Sequence, residues 1–184
     1  MEMGRLTILQ DGKKVGTEDF TITPRKGGYL VEGHTVMTEG GQTLDLKSAM
    51  ELNEALLLTS YEYKSSASTI TLKVGSPTSQ LETVVHGQKS GDDVRFPAEG
   101  VILDSNFFHH FAILLYRSAS YTNVLTVPAF VPQELQLAPI TVRSVGPNSY
   151  EIDTGNVKVK ATTDKDGRLL RLAVPDAKVV VERS

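Results

Sequence analysis

Two-residue alternation of apolar and polar side chains, recurring from residue 5 to residue 74, constrains this chain more than any other feature. Leu6 and Ile8 alternate with Arg5 and Thr7, and Phe20 and Ile22 with Asp19, Thr21 and Thr23. Leu44 and Leu46 alternate with Asp45 and Lys47, and Ile70, Leu72 and Val74 with Thr69, Thr71 and Lys73. Successive side chains of a strand point to opposite faces, so each run offers one apolar face to a core and one polar face to water. Antiparallel sheet is built this way, whereas strands buried on both faces by crossover helices read as continuous apolar runs. No long helical segment separates these runs, which excludes βαβ units among them.

The breaks between runs carry turn chemistry. Asp11-Gly12 is a two-residue hairpin signal, because both residues tolerate the positive φ of a type I′ turn. Gly27-Gly28, Gly40-Gly41, Asn53-Glu54, Ser65 to Ser68 and Gly75 to Ser79 divide the following runs. The spacing predicts a meander of about seven strands up to Phe96.

The period then changes. Phe107, Phe108, Phe111, Leu114 and Leu115 fall at i, i+1, i+4, i+7 and i+8, which gathers three rings and two leucines on one helical face. Asp104-Ser105-Asn106 supplies candidate N-caps, and Arg117 suits the negative end of the dipole. An amphipathic helix is therefore expected over 104–118. Strand patterns return after Ser120, at Val124 to Val131, Leu135 to Val145, Tyr150 to Asp153, Asn156 to Thr162, Leu169 to Val174 and Lys178 to Glu182. Pro128 and Pro132 suit an edge or bulge. Asp166-Gly167 marks a further hairpin. The expected fold is mainly β: a curved antiparallel sheet or partly open barrel of roughly 10–12 strands with one inserted amphipathic helix. No linker or composition shift divides the chain, so 1–184 reads as one domain.

At 184 residues such a domain buries about two-thirds of its unfolded surface and needs no staple. With no cysteine, a disulfide scaffold, a thiol nucleophile and cysteine-containing zinc sites are excluded. Nineteen basic against 22 acidic residues, net −3, leave no global footprint for nucleic acid. Apolar stretches such as Phe111 to Tyr116 fall short of the roughly 18 residues of a membrane span. The sequence runs from Met-Glu-Met-Gly straight into strand-like residues without a signal-peptide pattern. A cytoplasmic protein, or a periplasmic or envelope protein whose leader has been removed, would both read so.

The opening Gly4-Arg5-Leu6-Thr7-Ile8 with its Asp11-Gly12 turn resembles the DUF3108-like family of bacterial envelope proteins. So does the closing Val157-Lys158-Val159, through Asp166-Gly167-Arg168-Leu169 to Val174-Pro175, and the plan has a general likeness to lipoprotein-carrier half-barrels. The resemblance implies a strongly curved antiparallel sheet packed around a helix, often exported, with no catalytic residues to carry over.

His109-His110 is the strongest candidate for chemistry. Neighbouring helical residues point about 100° apart, so the pair does not chelate one ion, and the i, i+4 spacing of helical zinc sites does not occur here. His110 falls toward the aromatic face and His109 away from it, which suggests a structural or solvent-facing role. Asp164-Lys165-Asp166-Gly167 lacks the glutamate of a calcium loop, since position 12 is Pro175. No nucleophile elbow, P-loop or dinucleotide glycine pattern occurs. No cofactor, metal site or catalytic residue is assigned.

A single helix leaves much apolar sheet face to be hidden by curvature, a ligand or a partner. The leading expectation is therefore a non-enzymatic envelope protein that binds a lipophilic molecule or a protein partner. Tyr61, Tyr63, Phe107, Phe108, Phe111 and His110 form its expected wall. The alternatives are an interaction domain using the edge Val124 to Val131, and a small hydrolase or metal enzyme using His109 or His110.

Overall fold

The computed structural model describes residues 1–184 except 105, 120, 122, 123, 133 and 135, and of Glu39 the backbone alone. Eight antiparallel strands form the first part: β1 (Glu2–Gln10), β2 (Lys13–Arg25), β3 (Gly28–Glu39), β4 (Gln42–Asn53), β5 (Leu58–Lys64), β6 (Ser68–Lys73), β7 (Ser79–Val85) and β8 (Gln88–Val94). The short β9 (Val101–Ile102) precedes the helix α1 (His109–Ser118). Six strands follow: β10 (Val124–Val131), β11 (Gln136–Gly146), β12 (Ser149–Asp153), β13 (Lys158–Thr163), β14 (Leu169–Val174) and β15 (Val179–Arg183).

These strands make one open sheet in the order β8-β7-β6-β5-β4-β3-β2-β1-β15-β14-β13-β12-β11-β10-β9. Chain order thus runs outward from β1 to one edge, crosses to the opposite edge, and returns inward until β15 pairs with β1. All pairs are antiparallel except β9 with β10, the pair that α1 connects. The mainly-β class, the curved antiparallel sheet and the one helix are as the alternation implies. The fifteen strands exceed the expected number. Part of the difference lies in β8, whose Gln-Lys-Ser-Gly-Asp-Asp run carries no apolar alternation, and in the two-residue β9.

The turn residues behave as their chemistry requires. Asp11 and Gly12 have φ of 50° and 75°, which makes the type I′ link between β1 and β2. Asp166-Gly167 belongs instead to a longer loop, in which the Asp164 carboxylate accepts the amides of Asp166 and Arg168 at 2.8 and 2.9 Å. Among the described residues Val124 to Val131 keeps the edge character its proline suggests over Val124 to Pro128, the part that β9 leaves uncovered. It pairs with β11 along its length, and β9 covers its other side at Ala129 and Phe130. Pro128 faces Pro139 across the β10–β11 pair, a position that asks neither for an amide proton.

Inward-facing side chains of both flanks form one core, among them Leu6, Phe20, Val31, Met50, Leu72, Ile140, Ile152, Leu172 and Val181. The helix lies in the concave face. It packs on β14 on one side, while residues at and just before its start contact β2 to β5 on the other. It begins at His109, not at Asp104, and Phe108 holds the N-cap position without a side-chain cap. Asp104 caps the preceding turn by accepting the Asn106 amide at 3.0 Å. The candidate cap Ser105 and the expected strand start Leu135 lie outside the described residues. No helix among the described residues is long and apolar enough to cross a membrane.

Candidate functional site

Polar groups buried inside the curve gather where the helix begins. Glu18 sits on β2 in the inward phase shared by Phe20 and Ile22, and it is fully buried. Its carboxylate accepts the backbone amides of Phe108 and His109 at 2.8 and 2.7 Å. It also accepts the Thr35 hydroxyl at 2.9 Å and pairs with His109 Nδ1 at 3.0 Å. A carboxylate delivered from a distant strand thus serves as the missing N-cap, at the end of the helix where amide protons and dipole favour negative charge.

With Nδ1 donating to Glu18, His109 turns Nε2 toward Ser48 Oγ, 3.4 Å away. The imidazole stacks on Phe20, with centroids 5.8 Å apart and planes 14° apart. Gly33 lies under the ring, and a Cβ there would collide with it. Ser48, His109 and Glu18 have the order of a nucleophile, base and orienting acid. His109 and Glu18 are completely buried and clamp the start of the helix, whereas Ser48, nearly buried, also lines a groove of about 870 Å³ beside Phe20, Gly33 and Ala49.

His109 is therefore neither solvent-facing nor turned from the core, contrary to the helical-wheel expectation, because the strand carboxylate draws it inward. His110 is buried beside it, with ring centroids 4.5 Å apart and planes nearly perpendicular. His110 Nδ1 accepts the Asp104 amide at 3.2 Å, which leaves the proton on Nε2, a buried donor without a hydrogen-bond partner. Burial, and secondly the neighbouring His109, hold its pKa well below the ordinary imidazole value. Among the described residues, no His, Cys, Asp and Glu side chains cluster in a group that could hold a metal ion.

The aromatic wall expected from the sequence divides in two. Tyr61, Tyr63, Phe107 and His110 pack together in the core. Phe107 meets Tyr63 edge-on at 6.2 Å and stacks on His110 at 5.4 Å, and Tyr61 meets His110 edge-on at 5.7 Å. The Tyr61 hydroxyl donates to Asp104 at 2.8 Å. Burial, then the Asp104 charge and this bond, push the phenol's pKa well up. Phe108 and Phe111 are half-buried and lie on the opposite side of the helix. There they face a cleft of about 290 Å³ against the inner face of the C-terminal flank, where Val131, Ile140, Val159 and Val174 line it.

Glu18, Thr35, Gly33 and Ser48 were not singled out by sequence reasoning, yet each leaves a trace. Glu18 interrupts the inward phase before Phe20, Gly33 and Thr35 follow Val31, and Ser48 stands between Leu46 and Met50. A polar or missing side chain in the apolar phase of a strand marks a buried partner to be found.

No protein-family model and no curated protein matches the chain. Among solved structures it is similar to a DUF1089 family protein from Pseudomonas aeruginosa. The TM-score is 0.58 at 11% identity, over 87% of this chain and 90% of that one. At that identity the likeness is one of fold: a similar long sheet accommodates a very different sequence.

Proposed function

We propose that this protein is a non-enzymatic binding protein whose cleft between α1 and the C-terminal flank holds a lipophilic small molecule. The observation that carries this reading is the cleft itself. A volume of about 290 Å³ is near the lower end of small-molecule sites, which start at about 300 Å³. Its walls are apolar, with Phe108 and Phe111 on one side and Ile140, Val159 and Val174 on the other. The clamp at Glu18 supports the same reading, because it fixes the start of the helix and so sets where Phe108 and Phe111 stand. Binding is favoured over catalysis at this cleft because the nucleophile-like grouping around Ser48 is not among its lining residues. An envelope location accords with the resemblance noted from the sequence, and fractionation of producing cells would test it.

Ala138 lines the cleft from β11 and is exposed, so Ala138→Trp should fill the space without loading the core. Titration of an environment-sensitive apolar dye should show saturable binding to the wild type and loss of binding in this variant, at unchanged melting temperature. Equal dye binding by both proteins would sink the proposal.

A further inference from the structure

The cleft has walls of one character and charges of one sign. Its apolar surface comes from α1 and the inner faces of β10, β11, β13 and β14. Its polar lining consists of Glu134, Gln136, Thr154 and Asn156, together with Asp104. Among the described lining residues there are two carboxylates and no lysine, arginine or histidine. Glu134 is exposed and stands where solvent reaches the site, whereas Asp104 is buried and already accepts Tyr61 and Asn106. An amphiphile entering with its chain inward would leave its head group beside Glu134, Gln136, Thr154 and Asn156. A carboxylate or phosphate head would find no cation among these and would be repelled by the two acids. An ammonium would find a carboxylate and several oxygen acceptors.

Resting on the reading of the cleft as a lipophilic site, we propose that its occupant carries a cationic head: an aliphatic ammonium compound whose chain lies against Phe111, Ile140 and Val159 and whose nitrogen meets Glu134. The pairing is a solvent-exposed one, so it selects among amphiphiles more than it drives binding. Most of the affinity comes from the chain.

Octylammonium, octanol and octanoate share one chain and differ in head-group charge, so dye displacement by each, below micelle-forming concentrations, separates the two contributions. Octylammonium should bind about tenfold more tightly than octanoate, with octanol between them. The spread should shrink at about 1 M salt, where screening acts within about 3 Å. Glu134→Gln should bring the ammonium and carboxylate affinities together. Equal or tighter binding of octanoate, or a preference that Glu134→Gln leaves intact, would overturn the head-group inference while leaving the cleft in place. If all three fail to displace the dye, the cleft reading falls, and the inference falls with it.

Discussion

At the scale of single residues, the molecule is governed by a few polar groups placed where its pattern calls for apolar ones. Glu18 satisfies two helix amides, a threonine hydroxyl and an imidazole at once. Removing one partner of a buried pair leaves the others unpaired, so Glu18→Gln should cost about 3–5 kcal/mol in urea unfolding. A loss below about 1 kcal/mol, the value of an exposed pair, would show that water already reaches the clamp. His110 gives stability a pH dependence whose sign is set by burial. Its folded-state pKa lies below the unfolded value of about 6.5, so its contribution is complete above that pH and is lost as pH falls through it. The groups facing it are His109, Tyr61 and Asp104. Between about pH 7.5 and 5.5 the wild type should lose up to about 1.4 kcal/mol per pH unit, and His110→Phe should flatten that slope. An unchanged slope in the variant would assign the effect to another group.

At the scale of elements, α1 is held at both ends by charge brought from elsewhere. Its start is capped by Glu18. Near its end, the Tyr116 hydroxyl donates to Glu2, whose other oxygen accepts Arg183 at 2.7 Å. Burial, then that hydrogen bond and the Glu2 charge, raise the pKa of the Tyr116 phenol. Tyr116→Phe should therefore loosen the last turn by about 1 kcal/mol, read as faster amide exchange over 109–118 with the strand amides unaffected. Uniform acceleration across the sheet would mean that the helix does not open separately. The strands of the C-terminal flank were legible almost residue by residue, because alternation and turn residues both act locally. The start of the helix was misplaced by five residues, since Asp104 and Asn106 offered plausible local caps while the true cap lies 90 residues away in sequence. The candidate wall was half legible for the same reason. Helical periodicity grouped Phe107, Phe108 and Phe111 by local geometry, and only the long-range contact of Tyr63 with Phe107 separates it from Phe108 and Phe111, which line the cleft.

At the scale of the whole molecule, the two flanks meet along β1 and β15, where Ile8 faces Val181 and both are buried. Because the core is continuous across this junction, Val181→Ala should lower stability by about 1–3 kcal/mol, with β6 and β12 losing exchange protection at the same denaturant concentration. Separate midpoints for the two strands would show that each flank holds together by itself. The order of the sheet also bears on how the protein is made. Translation delivers the flank from β1 to β8 first and the returning flank afterwards, and β15, which joins them, follows both. Until then the nascent meander carries an uncovered greasy surface, and its closing contact spans all the strands from β1 to β15, a slow step for any folding chain. The seam of this molecule closes only when its last described strand finds its first.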